Sequence, residues 1–339
     1  MDIQYNRKRF ISVMELSSSG IKTISAAPFH IKNRTDLSRF SDNRKHIFRL
    51  HNLIDNENNL DIDGFKENLL PEIIKHYRLI NNSRNPQAFQ IVLTGYYREL
   101  KNKEEVLAIL NQSIKEKSLS RSYSISILKE ADESRLPFLA WKNTASLDER
   151  IFSNEDQKKD TYLHIDIGGA TTEISVTNDI NDFSNTISLE NEITKLVEQI
   201  LDTEKLTEKI LNNIILDLCS KVLDVFVDKF KRFHTIDFAV ASGSAVSLQH
   251  QLLNPEVSEL IPIDTLEDSI QIARIKNNHS FDSIQQKEIY YRTLLGSYVL
   301  KTLLKYAKVD SYFLNIANLR IGCIYDMMLK LRENKSPYL

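Results

Sequence analysis

The sequence predicts an α/β protein made of two copies of one domain with a cleft between them, and three observations lead there. Apolar, β-branched strands that end in an acid and turn on small residues occur twice, as ISVMELSSSGIKTISA and YLHIDIGGATTEISV. Each hairpin is followed by a further extended segment, by helices with apolar residues at three- and four-residue intervals, and then by another strand. The whole order repeats at an offset of about 150 residues, as a duplicated unit would.

In the first half, the stretch RFISVMELSSSGIKTISAAPF reads as strand, tight turn and strand, with Glu15 closing the first strand and Ser17, Ser18, Ser19 and Gly20 making the turn. FHIKNRTD reads as a third extended segment, FKENLLPEIIKHYRLI as an amphipathic helix and FQIVLTG as the next strand. Between them NLDIDGFKEN imitates the start of a calcium loop, but the twelfth position from Asn59 is Leu70, so a turn and helix cap are expected. A helix over ADESRLPFLAWKNT carries the crossover and puts the boundary near Trp141, giving domains 1–141 and 142–339. In the second half, Asp166 closes the strand, GGATT makes the turn and NTISLE is the third segment. A long helical region from Ile193 then leads to the strand of IDFAVASGSA, and ENKSPYL is expected to fray at the end.

The 339 residues accommodate two domains, and 42% hydrophobic with 27% charged residues is an ordinary globular balance. No apolar run approaches the ~18 residues of a spanning helix, and MDIQYNRKRF has no apolar stretch behind its charges, so no membrane association and no secretory leader are expected. A net charge of −2 argues against a protein that coats DNA or RNA. The runs Arg7-Lys8-Arg9 and Lys229, Lys231, Arg232 read as solvated surface. Cys219 and Cys323 are too far apart for a disulfide framework or a zinc spacing and sit in apolar helical contexts, so both are expected to pack in a reduced, cytoplasmic protein.

Only eight glycines are used, about a third of the usual ~7%. Gly20, Gly95, Gly168 with Gly169, and Gly243 all fall at strand ends or hairpin turns, where a positive φ or close backbone approach to a ligand is wanted. Successive N–H groups of GGATT can cradle an anion, with Thr171 and Thr172 hydroxyls as further donors.

HIDIGGATTEI resembles the second phosphate motif of the exopolyphosphatase and guanosine-pentaphosphate phosphohydrolase (Ppx/GppA) family. LTGYYRELKN resembles a further segment of that family, keeping Thr94, Arg98 and Asn102, and KEADESRLPFL resembles another, keeping Glu133, Arg135 and Leu136. VASGSAVSL and NLRIGCIYDMM resemble its last two, and Gly296 fits a helix start before the ending. The resemblance runs in order over residues 10 to 330 and implies two actin-like domains of the ribonuclease H-like, sugar kinase and Hsp70 type.

The resemblance implies Mg²⁺-dependent release of terminal phosphate from polyphosphate or guanosine pentaphosphate. Glu133 would be the general base, with Asp132 the weaker candidate. Asp166, Glu173 and Glu15 would hold the cation. Ser17, Ser18, Ser19, Gly20, Arg98, Gly168, Gly169, Ala170, Thr171 and Thr172 would bind phosphate. Arg320 reads as structural, pairing an acid near a helix start, and His164 as a satisfied strand residue. Glu15 stands where the family has aspartate, Ser17 where it has glycine, and SLENEITKL lacks the family's Gly and Arg. These departures keep open a catalytically weak anion- or nucleotide-binding regulator, and the architecture keeps open an actin-like ATPase or kinase. A homodimer is the expected assembly.

Overall fold

The computed structural model describes residues 10–18, 20–27, 40–117, 123–145, 160–169, 171–179, 182–190, 193–203, 206–230, 235–243, 246, 260–276, 281, 283–315 and 318–333. Two compact units emerge, one of Met1–Lys129 with Leu319–Leu339 and one of Glu130–Asn318.

In the first unit, β1 (Ile11–Ser17), β2 (Gly20–Ala26), β3 (Phe40–Ile47), β4 (Ala88–Leu93) and β5 (Tyr123–Ile127) form one sheet in the order β3-β2-β1-β4-β5. The β1–β2 and β2–β3 pairs are antiparallel, whereas β1–β4 and β4–β5 are parallel. The central strands are buried on both faces, which is why AFQIVL reads as an apolar run with one polar break. Helix α1 (Leu70–Arg84) turns Ile73, Tyr77 and Ile80 inward and stops at Asn85, whose φ of 47° makes a left-handed cap bonded to the Asn81 carbonyl. These side chains pack with Met14, Leu16, Phe89, Ile91 and Leu93, and with Leu110 of α2 (Lys103–Lys117). Each such side chain contributes ~1.5–3 kcal/mol on burial.

The cap expected within NLDIDGFKEN is present: the Asp61 carboxylate accepts from Gly64 N at 3.1 Å. The extended segment expected over FHIKNRTD lies outside the described residues, and the strand that pairs with β2 is the polar FSDNRKHI.

The second unit begins with α3 (Glu130–Ala145). Its sheet holds β6 (Tyr162–Ile167), β7 (Thr171–Thr177), β8 (Thr186–Glu190), β9 (Phe238–Ser242), β10 (Leu260–Pro262) and β11 (Ser311–Leu314), in the order β10-β11-β9-β6-β7-β8. Read from β8, this is the first unit's order with an antiparallel edge strand added. Helices α4 (Ile193–Asp202), α5 (Glu208–Phe230), α6 (Ile263–Lys276) and α7 (Ile284–Ala307) complete it; Gly296, expected near a helix start, lies inside α7. Leu211, Ile215, Leu218, Val222 and Phe226 follow the helical repeat along α5 and join the main apolar cluster of this unit.

Two assignments of chain to domain differ from the sequence reading. Trp141 is fully buried inside α3, its ring centroid 5.2 Å from Phe313 and 6.1 Å from Tyr162. These aromatic contacts bind α3 to the second sheet, so the compact units divide at Lys129 and Glu130. The last helix, α8 (Leu319–Arg332), buries Cys323, Ile324, Met327 and Met328 and packs on β1 and β2, which returns the chain's end to the first unit. No helix among the described residues is long and apolar enough to cross a membrane.

Candidate active site

The candidate residues fall into two groups, one in each unit. In the first, the β1–β2 register sets Ser17 opposite Gly20 and Glu15 opposite Lys22. Register partners share a sheet face, and Lys22 Nζ lies 2.8 Å from Glu15 Oε1. The other carboxylate oxygen, Oε2, lies 3.4 Å from Arg320 Nε at the start of α8. Burial alone would raise the Glu15 carboxyl, but the Lys22 ammonium and the Arg320 guanidinium together hold it below the ordinary carboxylate range.

Glu15 is therefore the anionic centre of an internal ion triad, and the metal-ligand expectation for it is corrected: both oxygens already face cations. Arg320 is structural, as expected, but its acid is at a strand end rather than a helix start. Its Nη1 also donates to the Thr23 carbonyl at 3.2 Å and to Asn43 Oδ1 at 3.1 Å.

The serine turn is held by its own groups. Ser17 Oγ donates to the Gly20 carbonyl at 3.3 Å, and the Ser18 carbonyl accepts from Leu50 N at 3.1 Å. Gly20 has φ +131°, and a Cβ there would lie 2.0 Å from the His46 carbonyl oxygen, so only glycine fits. Ser19 lies outside the described residues.

Arg98 sits on a single helical turn, Tyr96–Glu99, after Gly95 (φ 57°). Its Nη1 donates to the Leu128 carbonyl at 3.4 Å, so it ties that turn to the end of β5. Asn102 is structural too: its amide receives from Leu60 N and donates to Leu60 O, both at 2.9 Å, completing a two-bond clamp.

In the second unit, Asp166 and Glu173 are register partners on β6 and β7, and Asp166 is also level with Ser242 on β9. Two carboxylates directly opposite one another repel. Glu173 is only 4% exposed, and its Oε1 accepts from Ser188 Oγ at 2.9 Å. A Cβ at Gly243, whose φ is +103°, would lie 2.5 Å from Asp166 Oδ1, so the end of β9 presses directly against that acid.

The glycine turn is tighter than an open nest. Gly168 N donates to the Thr171 carbonyl at 2.9 Å, and the Gly169 carbonyl accepts from Thr194 N at 2.7 Å and Thr194 Oγ1 at 2.9 Å. The expectation that Gly168 N–H cradles an anion is corrected, since that group closes the turn. So is the donor role of Thr172, which has no exposed surface, whereas Thr171 is half-buried. Ala170 lies outside the described residues.

The sequence reading missed Arg292. It comes from α7, is 12% exposed at its side chain, pairs with Glu288 at 2.9 Å, and places its guanidinium carbon 3.7 Å from where a Gly169 Cβ would be. A cation therefore borders the turn from an unexpected element. The absence of a partner arginine in SLENEITKL is the signal that points to one supplied from elsewhere.

Glu133 is 3% exposed in the first turn of α3, the helix that packs on β6, β7 and β8. Helix position favours its negative charge. Pro137, four residues on, has no N–H to bond the Glu133 carbonyl, so the helix runs on to Ala145 without that one backbone bond. Asp132 instead pairs with Arg135 at 3.3 Å. His164 is fully buried, within 3.2 Å of Ser242 Oγ and edge-on to Phe138, and burial pulls its imidazole down to about 3. It is a neutral core residue, but the expectation of a satisfied one is corrected, since its Nδ1 is buried with no hydrogen-bond partner among the described residues.

The model of the Ppx/GppA phosphatase family matches residues 35–331. Among solved structures, the Aquifex aeolicus Ppx/GppA family member is 16% identical, with 97% of this chain and 99% of that chain covered at a TM-score of 0.66. An exopolyphosphatase from Cytophaga hutchinsonii is 11% identical over 98% of this chain and 100% of that one, with a TM-score of 0.65. Both share the fold of this chain. No curated protein sequence matches the chain.

Proposed function

The chain belongs to the Ppx/GppA phosphatase family, and from that premise we propose that it is a phosphoanhydride hydrolase that removes the terminal phosphate of polyphosphate or guanosine pentaphosphate. The observation that carries this reading is the facing of Asp166 and Glu173 across the β6–β7 hairpin, in the same unit as Glu133.

Two adjoining carboxylates suit a hard, oxygen-seeking divalent ion, and Mg²⁺ held there would neutralise phosphate oxygens. Thr171 and Arg292 border the same turn and suit binding of the terminal phosphate, Arg292 through its planar fork. Glu133 takes a proton from water as the water oxygen bonds to the terminal phosphorus and the bridging P–O bond breaks; the shortened chain leaves as the anion.

The test is phosphate release from medium-chain polyphosphate and from guanosine pentaphosphate, with Mg²⁺ and with EDTA. Native protein is expected to release phosphate only with the cation, and Glu133→Gln to lose ~10²–10⁴-fold in rate. The ratio of the two native rates identifies the preferred substrate. Release that persists at the native rate in Glu133→Gln removes that residue from the mechanism. A second reading, an anion-binding regulator without turnover, is favoured by the closed Lys22–Glu15–Arg320 triad. Anion binding by folded protein with no release from either substrate selects it.

A further inference from the structure

Away from the two turns, the first unit brings together His46 on β3 with Glu72 and His76, four residues apart on α1. One ligand atom from each lies within 4.8 Å of the others. Residues four apart share a helix face, and the His46 and His76 ring centroids are 6.0 Å apart, with His46 Nδ1 3.8 Å from Glu72 Oε2.

His76 makes this more than a surface cluster. It is 9% exposed, and its Nδ1 is buried with no hydrogen-bond partner among the described residues. A buried imidazole nitrogen left without a donor or acceptor is costly, and coordination of a metal ion is one way to satisfy it. His46 and Glu72 stay half-exposed, at 36% and 27% of their side chains, which leaves a route for an ion to enter.

We propose that His46, Glu72 and His76 form a binding site for a zinc-class divalent ion, separate from the acids of the β6–β7 hairpin. Two imidazoles and one carboxylate with a fourth position open to water are a zinc set; Mg²⁺ prefers oxygen ligands and octahedral geometry. Lys75 Nζ, 2.9 Å from Glu72 Oε2, neutralises that carboxylate in the metal-free protein and swings away when the ion binds. The bound ion joins the exposed edge strand β3 to α1. It also fixes His46, whose carbonyl stands against Gly20, so the ion steadies the backbone bordering the serine turn.

The test is titration of chelator-stripped protein with Zn²⁺ against a chromophoric chelator, with Co²⁺ absorption as a second readout of the ligand set. Native protein is expected to bind one equivalent that millimolar Mg²⁺ does not displace. His76→Gln, Glu72→Gln and His46→Gln should each weaken it at least ~10-fold, the lower end for losing even a supporting residue of a metal site. Circular dichroism shows which variants are folded, and half-exposed His46 and Glu72 supply the result if His76→Gln does not fold. The proposal is overturned if native protein binds no stoichiometric Zn²⁺. It is also overturned if the equivalent survives in folded His46→Gln and Glu72→Gln, or is lost in Asp166→Asn instead.

Discussion

In the β1–β2 hairpin, the acid that ends the first strand, Glu15, has Lys22 as its register partner; in the β6–β7 hairpin, the corresponding acid, Asp166, has Glu173. The spacing is the same in both, seven residues from acid to partner, and a glycine with positive φ sits beside each, Gly20 within the first turn and Gly243 at the end of β9 against Ile167 and Asp166. One partner therefore decides the chemistry. The first hairpin carries its countercharge in covalent form, and Arg320 reinforces it. The second sets two carboxylates opposite one another, the pair proposed above to hold Mg²⁺. The two units repeat one hairpin geometry, and the residue opposite the acid is what differs between them.

The most severe way to break this contrast is Arg320→Leu. It removes one of the cations beside buried Glu15 together with the bonds to the Thr23 carbonyl and Asn43, and is expected to cost ~3–5 kcal/mol in the first unit, measured by urea unfolding. The chain's only tryptophan, Trp141, lies in the second unit, so its fluorescence follows that unit while far-UV circular dichroism follows both. The circular dichroism transition should move and the fluorescence transition should not. Lys22→Gln, which removes one charged hydrogen bond and leaves Arg320, is expected to cost ~1.5–3 kcal/mol by the same readout. If neither change affects the first unit, the triad is not what stabilises it.

Acid sharpens the comparison. Where β1 has Val13, β6 has His164, and both are fully buried. The folded His164 value of about 3 lies below its ordinary 6.5, so the unfolded state binds the extra proton. Stability of the second unit is whole above pH 6.5 and falls below it by up to roughly 1.4 kcal/mol per pH unit. Glu15, also held low, begins to lose its contribution only as pH falls through its ordinary 4.5. Tryptophan fluorescence should therefore report acid weakening of the second unit near pH 5.5; burial also pulls down His76 in the first unit, so some weakening is expected there as well. A fluorescence-detected transition that does not move between pH 6.5 and 5 would contradict the His164 assignment.

The smallest expected effect has the opposite sign. Glu173→Gln relieves like-charge repulsion and should stabilise metal-free protein by ~0.2–1 kcal/mol. It should also abolish any rise in melting temperature that Mg²⁺ gives the native protein. Destabilisation instead would mean that the Ser188 hydrogen bond outweighs the repulsion.

Much of this was legible in the chain. Apolar strands ending in an acid and turning on glycine marked both hairpins, and helical periodicity marked α1, α3 and α5, because these patterns reflect local burial. The opposite charges at Lys22 and Glu173 were also in view, but their meaning depends on strand register, which the turn sets in three dimensions. β3 was hidden because an exposed edge strand rich in Asp, Asn, Arg and Lys has no apolar alternation to show. Arg292, and the identity of the acid that Arg320 pairs with, were hidden for another reason: both side chains reach their hairpins from helices more than 100 residues along the chain, and sequence spacing does not encode which sheet a helix covers.

The return of α8 to the first sheet also sets a timetable. During synthesis β1 and β2 leave the ribosome first, but the arginine that compensates Glu15 and the apolar face that covers them follow only after the whole second unit has been made. The second unit has every strand it needs once residue 314 has emerged. The unit whose strands are made first is thus the unit completed last.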